Sequence, residues 1–162
     1  MLSAASSVFK VMLGPNFLEG QQMANSAGPV EIELHDDDAT AMSEMCNIMH
    51  FKPAMVSPKQ NRSKSLLALA VVVDKYACVH SLRLQSQGLV LRYFDEFRRN
   101  EVMPLYRMAA ASYLLDEPMV FRLATQRLVT HTNGDYSSVL TSEDGLYLPF
   151  DVFSKLQLTR RA

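Results

Sequence analysis

The sequence predicts an α+β fold that is mostly helical. Val30-Glu31-Ile32-Glu33-Leu34 alternates strictly between apolar and acidic residues, which is the pattern of a half-buried strand. Leu66 to Ala77 places apolar residues on one helical face, and further leucine and valine residues extend that face around most of the helix, as in a helix at a domain centre. The expected order is helix, strand, helix and then about six more helices.

Composition limits the classes of function. The chain of 162 residues is long enough for one domain with a core of its own. A net charge of -1 argues against a nucleic-acid binder with a broad basic surface. No segment is typical of a membrane span or a signal peptide. With only Cys46 and Cys78, a disulfide framework is not indicated, and the cytosol or nucleus is the expected compartment.

The first predicted elements follow from stop signals and charge. A helical stripe runs over residues 2–13, and Gly14-Pro15-Asn16 ends it. Residues 17–29 are predicted to form a polar loop. Asp36-Asp37-Asp38 places carboxylates at a helix start, where the helix dipole favours them. Lys52 to Lys64 contains two prolines and four basic residues, which indicates a solvated loop.

The second half of the chain is predicted to contain only helices and turns. Ser81 is a predicted N-cap residue. Pro104 fits the first turn of a helix, and Asp116-Glu117-Pro118 begins the next one. Asn133-Gly134-Asp135 is a predicted turn, and Leu148-Pro149 opens the last amphipathic helix.

The sequence contains no recognisable catalytic motif, and we predict no enzyme activity and no cofactor. Cys46 and His50 share a helical face, and Cys78 and His80 lie two positions apart, so the four residues are on paper a zinc set. Their spacing fits no usual zinc module. Core cysteines with partly exposed histidines are the ordinary explanation, and we predict no metal site.

Several segments together resemble one interaction domain. Leu66 to Leu82 resembles the helix pattern LLxLAxxADKYxxxxL, most sharply at Asp74-Lys75-Tyr76. Leu2 to Leu13 is similar to the second half of a helix of the form HxAVLAxxSxxFxxMF, and Val30 to Leu34 resembles the strand that follows it. Asp37 to Phe51 resembles the next helix. On these segments the chain resembles the BTB/POZ domain of the fungal type with a helical C-terminal extension.

The resemblance implies a BTB/POZ-like core over residues 1–97 with an incomplete sheet, followed by a helical extension over residues 98–162. The family's two opening strands have no counterpart, so the resemblance implies that a β-hairpin has been lost before Met1. It also implies a protein–protein interaction module that dimerises or serves as an adaptor, with a cullin-type ubiquitin ligase as one partner. The alternatives are a transcription-associated or structural oligomerisation module, and a truncated fragment without function.

Two groups of residues are the predicted protein-binding sites. Phe17 and Glu19 match the aromatic–x–acid pattern with which cullin-binding members of the family engage the cullin. The alternative is that Phe17 packs under its own loop and Glu19 is solvated. Leu2, Phe9 and Met12 form an apolar stripe, which would be adhesive where the family's hairpin does not cover it. Tyr76 is expected to bury its ring and to have its hydroxyl hydrogen-bonded.

Overall fold

The computed structural model describes residues 2–52, 61–96, 101–131 and 136–161, and within these ranges the regular structure is helical. A 3₁₀-helix, Glu143–Tyr147, lies between the last two α-helices. The α-helices in chain order are α1 (Leu2–Ala5), α2 (Ser7–Met12), α3 (Leu18–Asn25), α4 (Ala39–Met49), α5 (Arg62–Lys75), α6 (Arg83–Glu96), α7 (Val102–Leu114), α8 (Pro118–His131), α9 (Ser137–Leu140) and α10 (Phe150–Arg161).

The predicted α+β class, with its incomplete BTB/POZ-like sheet, is wrong for the described residues, because they contain no strand. Residues 30–34 are irregular. The apolar and acidic side chains still alternate in exposure, since Ile32 and Leu34 are half-buried whereas Glu31 and Glu33 are exposed. A strand needs a neighbour to pair its backbone groups, whereas an irregular segment can bury the same side chains against helices. Leu34 does so by packing against the core.

The apolar run is the central helix of the fold, as predicted. Helix α5 packs against α4, α6 and α7, and it is buried around most of its circumference. Helix α7 is equally buried and contacts both α5 and α8. One hydrophobic core therefore includes residues from both halves of the chain. The division into residues 1–97 and 98–162 stays a prediction. None of the described helices combines the length and the apolar character needed to cross a membrane.

Helix starts follow the predicted signals at several positions. Asp38 caps α4, because its Oδ1 accepts a hydrogen bond from the Ala41 N–H at 2.8 Å. Pro104 lies in the first turn of α7, and Pro118 is the first residue of α8. The Ser81 cap is wrong: α6 begins at Arg83, and the Ser81 hydroxyl donates instead to a backbone carbonyl of α1.

The first predicted helix is broken in two. Ser6 has an extended backbone, and its Oγ accepts a hydrogen bond from the Phe9 N–H at 2.9 Å, so that it caps α2. The predicted loop from Lys52 to Lys64 falls largely on residues 53–60, outside the described residues, and α5 has already begun at Arg62. The predicted turn Asn133-Gly134-Asp135 also lies outside the described residues.

Among the described residues, three helices end in the same motif, with a residue other than glycine in the left-handed conformation. After α5, the Ala77 N–H donates to the Asp74 carbonyl and the Cys78 N–H to the Val73 carbonyl, which are the two bonds of a Schellman motif. Ala77 has a φ of 51° and is exposed, although its position in the sequence predicted that it would lie on the apolar face of the helix. The same pattern follows α4, with Phe51 at φ 56°, and α7, with Asp116 at φ 54°.

Replacing Ala77 with Gly should stabilise the protein. The left-handed conformation brings the Ala77 Cβ close to the backbone, and glycine removes that cost, so we expect the free energy of unfolding to rise by about 1 kcal/mol. Urea denaturation measures the change. Ala24→Gly is the control, because Ala24 lies exposed inside α3 and its loss should destabilise. A destabilised Ala77→Gly protein would contradict the assignment.

Candidate protein-interaction surfaces

The first candidate surface lies on the segment that runs from α2 through a turn into α3, which we call the hairpin. Leu18–Asn25 is helical, so the predicted loop over residues 17–29 is wrong in its first half. Gly20 explains the difference: a Cβ there would stand 1.9 Å from the Gly14 carbonyl oxygen. The Gln21 side-chain amide also donates to the Pro15 carbonyl at 3.1 Å. The two glycines allow α3 to lie close to the turn that follows α2.

This hairpin exposes apolar side chains near its turn. Phe17 is 46% exposed and Leu18 is 72% exposed, while Val8, Val11 and Met23 are also exposed. We call the adjacent pair Phe17 and Leu18 the hairpin surface. Beside it lies a shallow groove, lined by Leu18, Gln21, Gln22, Asn25, Ser26 and Val30.

The structure places the predicted site residues in different environments. Phe17 is exposed and Glu19 is half-buried in the first turn of α3. Leu2 and Met12 are half-buried and pack against the core. Phe9 is only 3% exposed, so its ring belongs to the core of the monomer. The structure therefore separates the accessible Phe17 from the covered Phe9, and the binding role of all five residues stays a prediction.

Tyr76 covers Phe9 and links three segments. Its ring stacks on the Phe9 ring with centroids 4.4 Å apart and planes 5° apart. Its hydroxyl donates to Asp37 Oδ2 at 2.5 Å, and its backbone carbonyl accepts a hydrogen bond from the Ser6 hydroxyl. The expectation that Tyr76 buries its ring and hydrogen-bonds its hydroxyl is confirmed. The end of α5 thus holds both the N-terminal helices and the segment before α4.

Asp37 is the charged member of this junction. Its side chain is 5% exposed, and Lys75 Nζ donates to Oδ1 at 2.7 Å. Burial raises the pKa of Asp37, but the hydrogen bonds from Lys75 and Tyr76 and the Lys75 charge outweigh it, so the pKa lies below its ordinary 3.8. Burial, with the Asp37 hydrogen bond and charge, raises the pKa of Tyr76. The junction therefore consists of a carboxylate and a neutral phenol.

Asp37 should make the stability of the protein depend on pH in the acidic range. A carboxyl whose folded pKa is lowered contributes stability that is present above its unfolded pKa and is lost as the pH falls through the folded value. Asp37→Asn should cost about 1–2 kcal/mol at pH 7. The difference between parent and variant should shrink below pH 3.8. Unfolding curves from pH 7 into this acidic range measure it, and a difference that stays constant would contradict the prediction.

A second candidate surface lies where α4 ends. A pocket of about 80 Å³ is lined by residues of α1, the end of α4, the segment before α6 and the first turn of α6. Phe51, which is 81% exposed, stands at its edge. Sequence reasoning missed this pocket because its walls come from distant segments. Only the helix end was detectable, since Pro53 follows Phe51 by two residues. The lining residues are Ala5, Ile48, Met49, Phe51, Ser81, Leu82 and Gln85.

The cysteine and histidine residues were tested as a metal site in the described part of the chain. There, no group of three or more histidine, cysteine, aspartate or glutamate residues is placed to hold a metal ion. Cys78 is buried and Cys46 is half-buried. Burial raises the pKa of both thiols, which favours their protonated form.

Comparisons of the chain with protein-family models, with curated proteins and with solved structures gave no match.

Proposed function

We propose that this chain is a non-enzymatic protein–protein interaction module, acting as a dimerisation or adaptor domain in the cytosol or nucleus. One observation carries the proposal. Phe17 and Leu18 are adjacent, apolar and exposed, and the Gly14–Gly20 contact holds them at the start of a helix. Exposed apolar side chains on an ordered scaffold are typical of the anchors of protein interfaces.

The position of Phe17 supports a role in recognition. Phe17 is the N-cap residue of α3, where a side chain that accepts a hydrogen bond is worth about 1 kcal/mol. A phenylalanine cannot accept one, and 46% of this residue remains in solvent. Local stability therefore does not account for the aromatic ring. Glu19, in contrast, is explained by local stability, because the helix dipole favours an acidic residue in the first turn.

The hairpin surface should support self-association. We expect the parent protein to form dimers or larger species at about 50 µM, a concentration suited to a weak interface. Leu18→Lys should shift it toward monomer, because it places a charge in the apolar contact. Leu140→Lys is the control, since Leu140 is an exposed leucine on α9. Light scattering measures the mass, and a parent that stays monomeric would reject this role.

A pull-down with a cullin N-terminal domain separates the two forms of the proposal. An adaptor for a ubiquitin ligase should bind the cullin, and Phe17→Ala should weaken that binding. A transcription-associated or structural oligomerisation module should self-associate and leave the cullin unbound. Equal binding by the parent and Phe17→Ala would exclude Phe17 from the contact.

A further inference from the structure

The pocket at the end of α4 has an apolar floor and one polar side chain that is available for hydrogen bonding. Ile48, Met49 and Leu82 are buried and form the floor. The Ser81 hydroxyl is engaged, because it donates to the Ala5 carbonyl at 2.6 Å. Gln85 supplies an amide that can hydrogen-bond a bound backbone. Such a mixture, mostly apolar with a single orienting polar group, is the usual chemistry of a ligand pocket.

The size of the pocket selects an aliphatic side chain. Its volume is about 80 Å³. Benzene occupies an engineered cavity of about 150 Å³. The pocket is roughly half that size, so a leucine- or valine-sized group fits it better than an aromatic ring does.

Phe51 sits at this pocket in a conformation that costs stability. Its φ is 56°, and a bulky residue in the left-handed region is an outlier where glycine would be favoured. The residue is 81% exposed, so burial in the monomer does not offset that cost. A strained residue with an exposed ring, beside an apolar pocket, points to a ligand that covers the ring.

Two cationic side chains adjoin the lining residues in the sequence. Lys52 follows Phe51, and Arg83 follows the lining residues Ser81 and Leu82; both are exposed. Arg83 also interacts electrostatically with Glu117. In the sequence, no acidic residue lies within two positions of any lining residue. A positive rim around an apolar pocket complements a ligand whose anchor is surrounded by negative charge.

We propose that this pocket binds an acidic peptide segment of a partner protein, with one aliphatic side chain inserted and the Phe51 ring packed over it. This inference rests on the proposed interaction function and names the chemistry of a partner. The carboxylates of the segment lie near Lys52 and Arg83, and Gln85 bonds its backbone.

The probe for this site is a fluorescent peptide with one leucine between flanking glutamates. Fluorescence anisotropy should show binding that weakens with added salt. Replacing the leucine with alanine should weaken binding about tenfold, because the buried methyl groups are lost. A peptide with lysines in place of the glutamates should bind at least about tenfold more weakly. Equal binding of the glutamate and lysine peptides, or preferential binding of single-stranded DNA, would overturn the proposal.

Two matched glycine substitutions test the role of Phe51. Phe51→Gly and Ala77→Gly change the same position of two Schellman motifs, and both should raise the unfolding midpoint. Only Phe51→Gly should weaken peptide binding, by about tenfold, whereas Ala77→Gly should stay within about twofold of the parent. Phe51→Asn, which also suits this conformation, should behave like Phe51→Gly. Undiminished binding by Phe51→Gly would overturn the proposal.

Lys52→Glu tests the charged rim, with Lys155→Glu on α10 as its control. Lys52 is the better choice because Arg83 also interacts with the Glu117 carboxyl, so that its loss would have a second effect. Burial raises the pKa of Glu117, and the charge of Arg83 opposes that rise. Lys52→Glu should weaken peptide binding several-fold, and Lys155→Glu should not. If the peptide fails to bind while Leu18→Lys still alters self-association, only this inference fails. If neither effect is seen, the proposed function fails with it.

Discussion

Replacing Phe9 with Ala is expected to lower the free energy of unfolding by about 3–5 kcal/mol. Phe9 is 3% exposed, and its ring stacks on Tyr76 at a centroid distance of 4.4 Å. Alanine would leave a cavity and remove the ring contact at the junction where the N-terminal helices meet the end of α5. Denaturant unfolding followed by circular dichroism measures the loss.

Phe17→Ala is the matched control for Phe9→Ala. Both positions lie within the N-terminal hairpin, but 46% of Phe17 is exposed, so its loss should change stability by no more than about 0.5 kcal/mol. We expect Phe9→Ala to reduce the stability of the protein and Phe17→Ala to reduce binding of the cullin N-terminal domain. Equal stability losses at the two positions would contradict the separation of core and surface described above.

Replacing Gly20 with Ala is the second substitution with a large expected effect. Its Cβ would stand 1.9 Å from the Gly14 carbonyl oxygen, which is backbone and cannot rotate away. We expect a loss of about 2–3 kcal/mol, or a displaced α3, because α3 must move away from the turn that contains Gly14. Denaturation measures the first effect. Light scattering measures the second, since displacement of α3 should weaken self-association through the hairpin surface.

Gly88→Ala is the control for Gly20→Ala. Gly88 lies inside α6, and a Cβ there would meet no atom within 4 Å. The substitution should therefore stabilise the protein by about 1 kcal/mol through helix propensity. Opposite signs at the two glycines are the expected result. A Gly20→Ala protein that gains stability as Gly88→Ala does would show that the close contact is not required.

The features that the sequence predicted correctly depend on local chemistry. Helix α5 was detectable because its apolar residues recur at helical spacing and fill most of its circumference. The cap of α4 was detectable because the Asp38 carboxylate satisfies backbone groups of its own helix. Tyr76 followed from the same reasoning, since a buried phenol needs a partner. That the partner is Asp37 depends on a contact across 39 positions, which spacing does not reveal.

The failures depend on tertiary structure. The alternation over residues 30–34 correctly indicated which side chains are buried but not that the segment lacks a neighbouring strand. Helix α3 requires the Gly14–Gly20 approach, and a glycine within a short polar segment otherwise favours a loop. Ser6 was expected to lie inside a helix, yet its hydroxyl caps the next one.

The candidate surfaces were partly predictable. Phe17 was identified by its aromatic–x–acid pattern, and its exposure leaves it accessible. Phe9 and Met12 were assigned to an adhesive stripe because helical spacing shows that a face is apolar but not what covers it. The pocket beside Phe51 was not detectable, because segments about 30 to 80 positions apart build it.

The pairing of α5 with α7 has a consequence for the order of folding. Helices α7 and α8 are joined only by Leu115–Glu117, so bringing them together closes a short loop at little entropic cost. Helices α5 and α7 are separated in sequence by α6, so a longer loop must close before they can come into contact. We therefore expect the α7–α8 hairpin to nucleate folding, with α5 docking later. Lesions on the buried face of α5 should then mainly speed unfolding rather than slow folding.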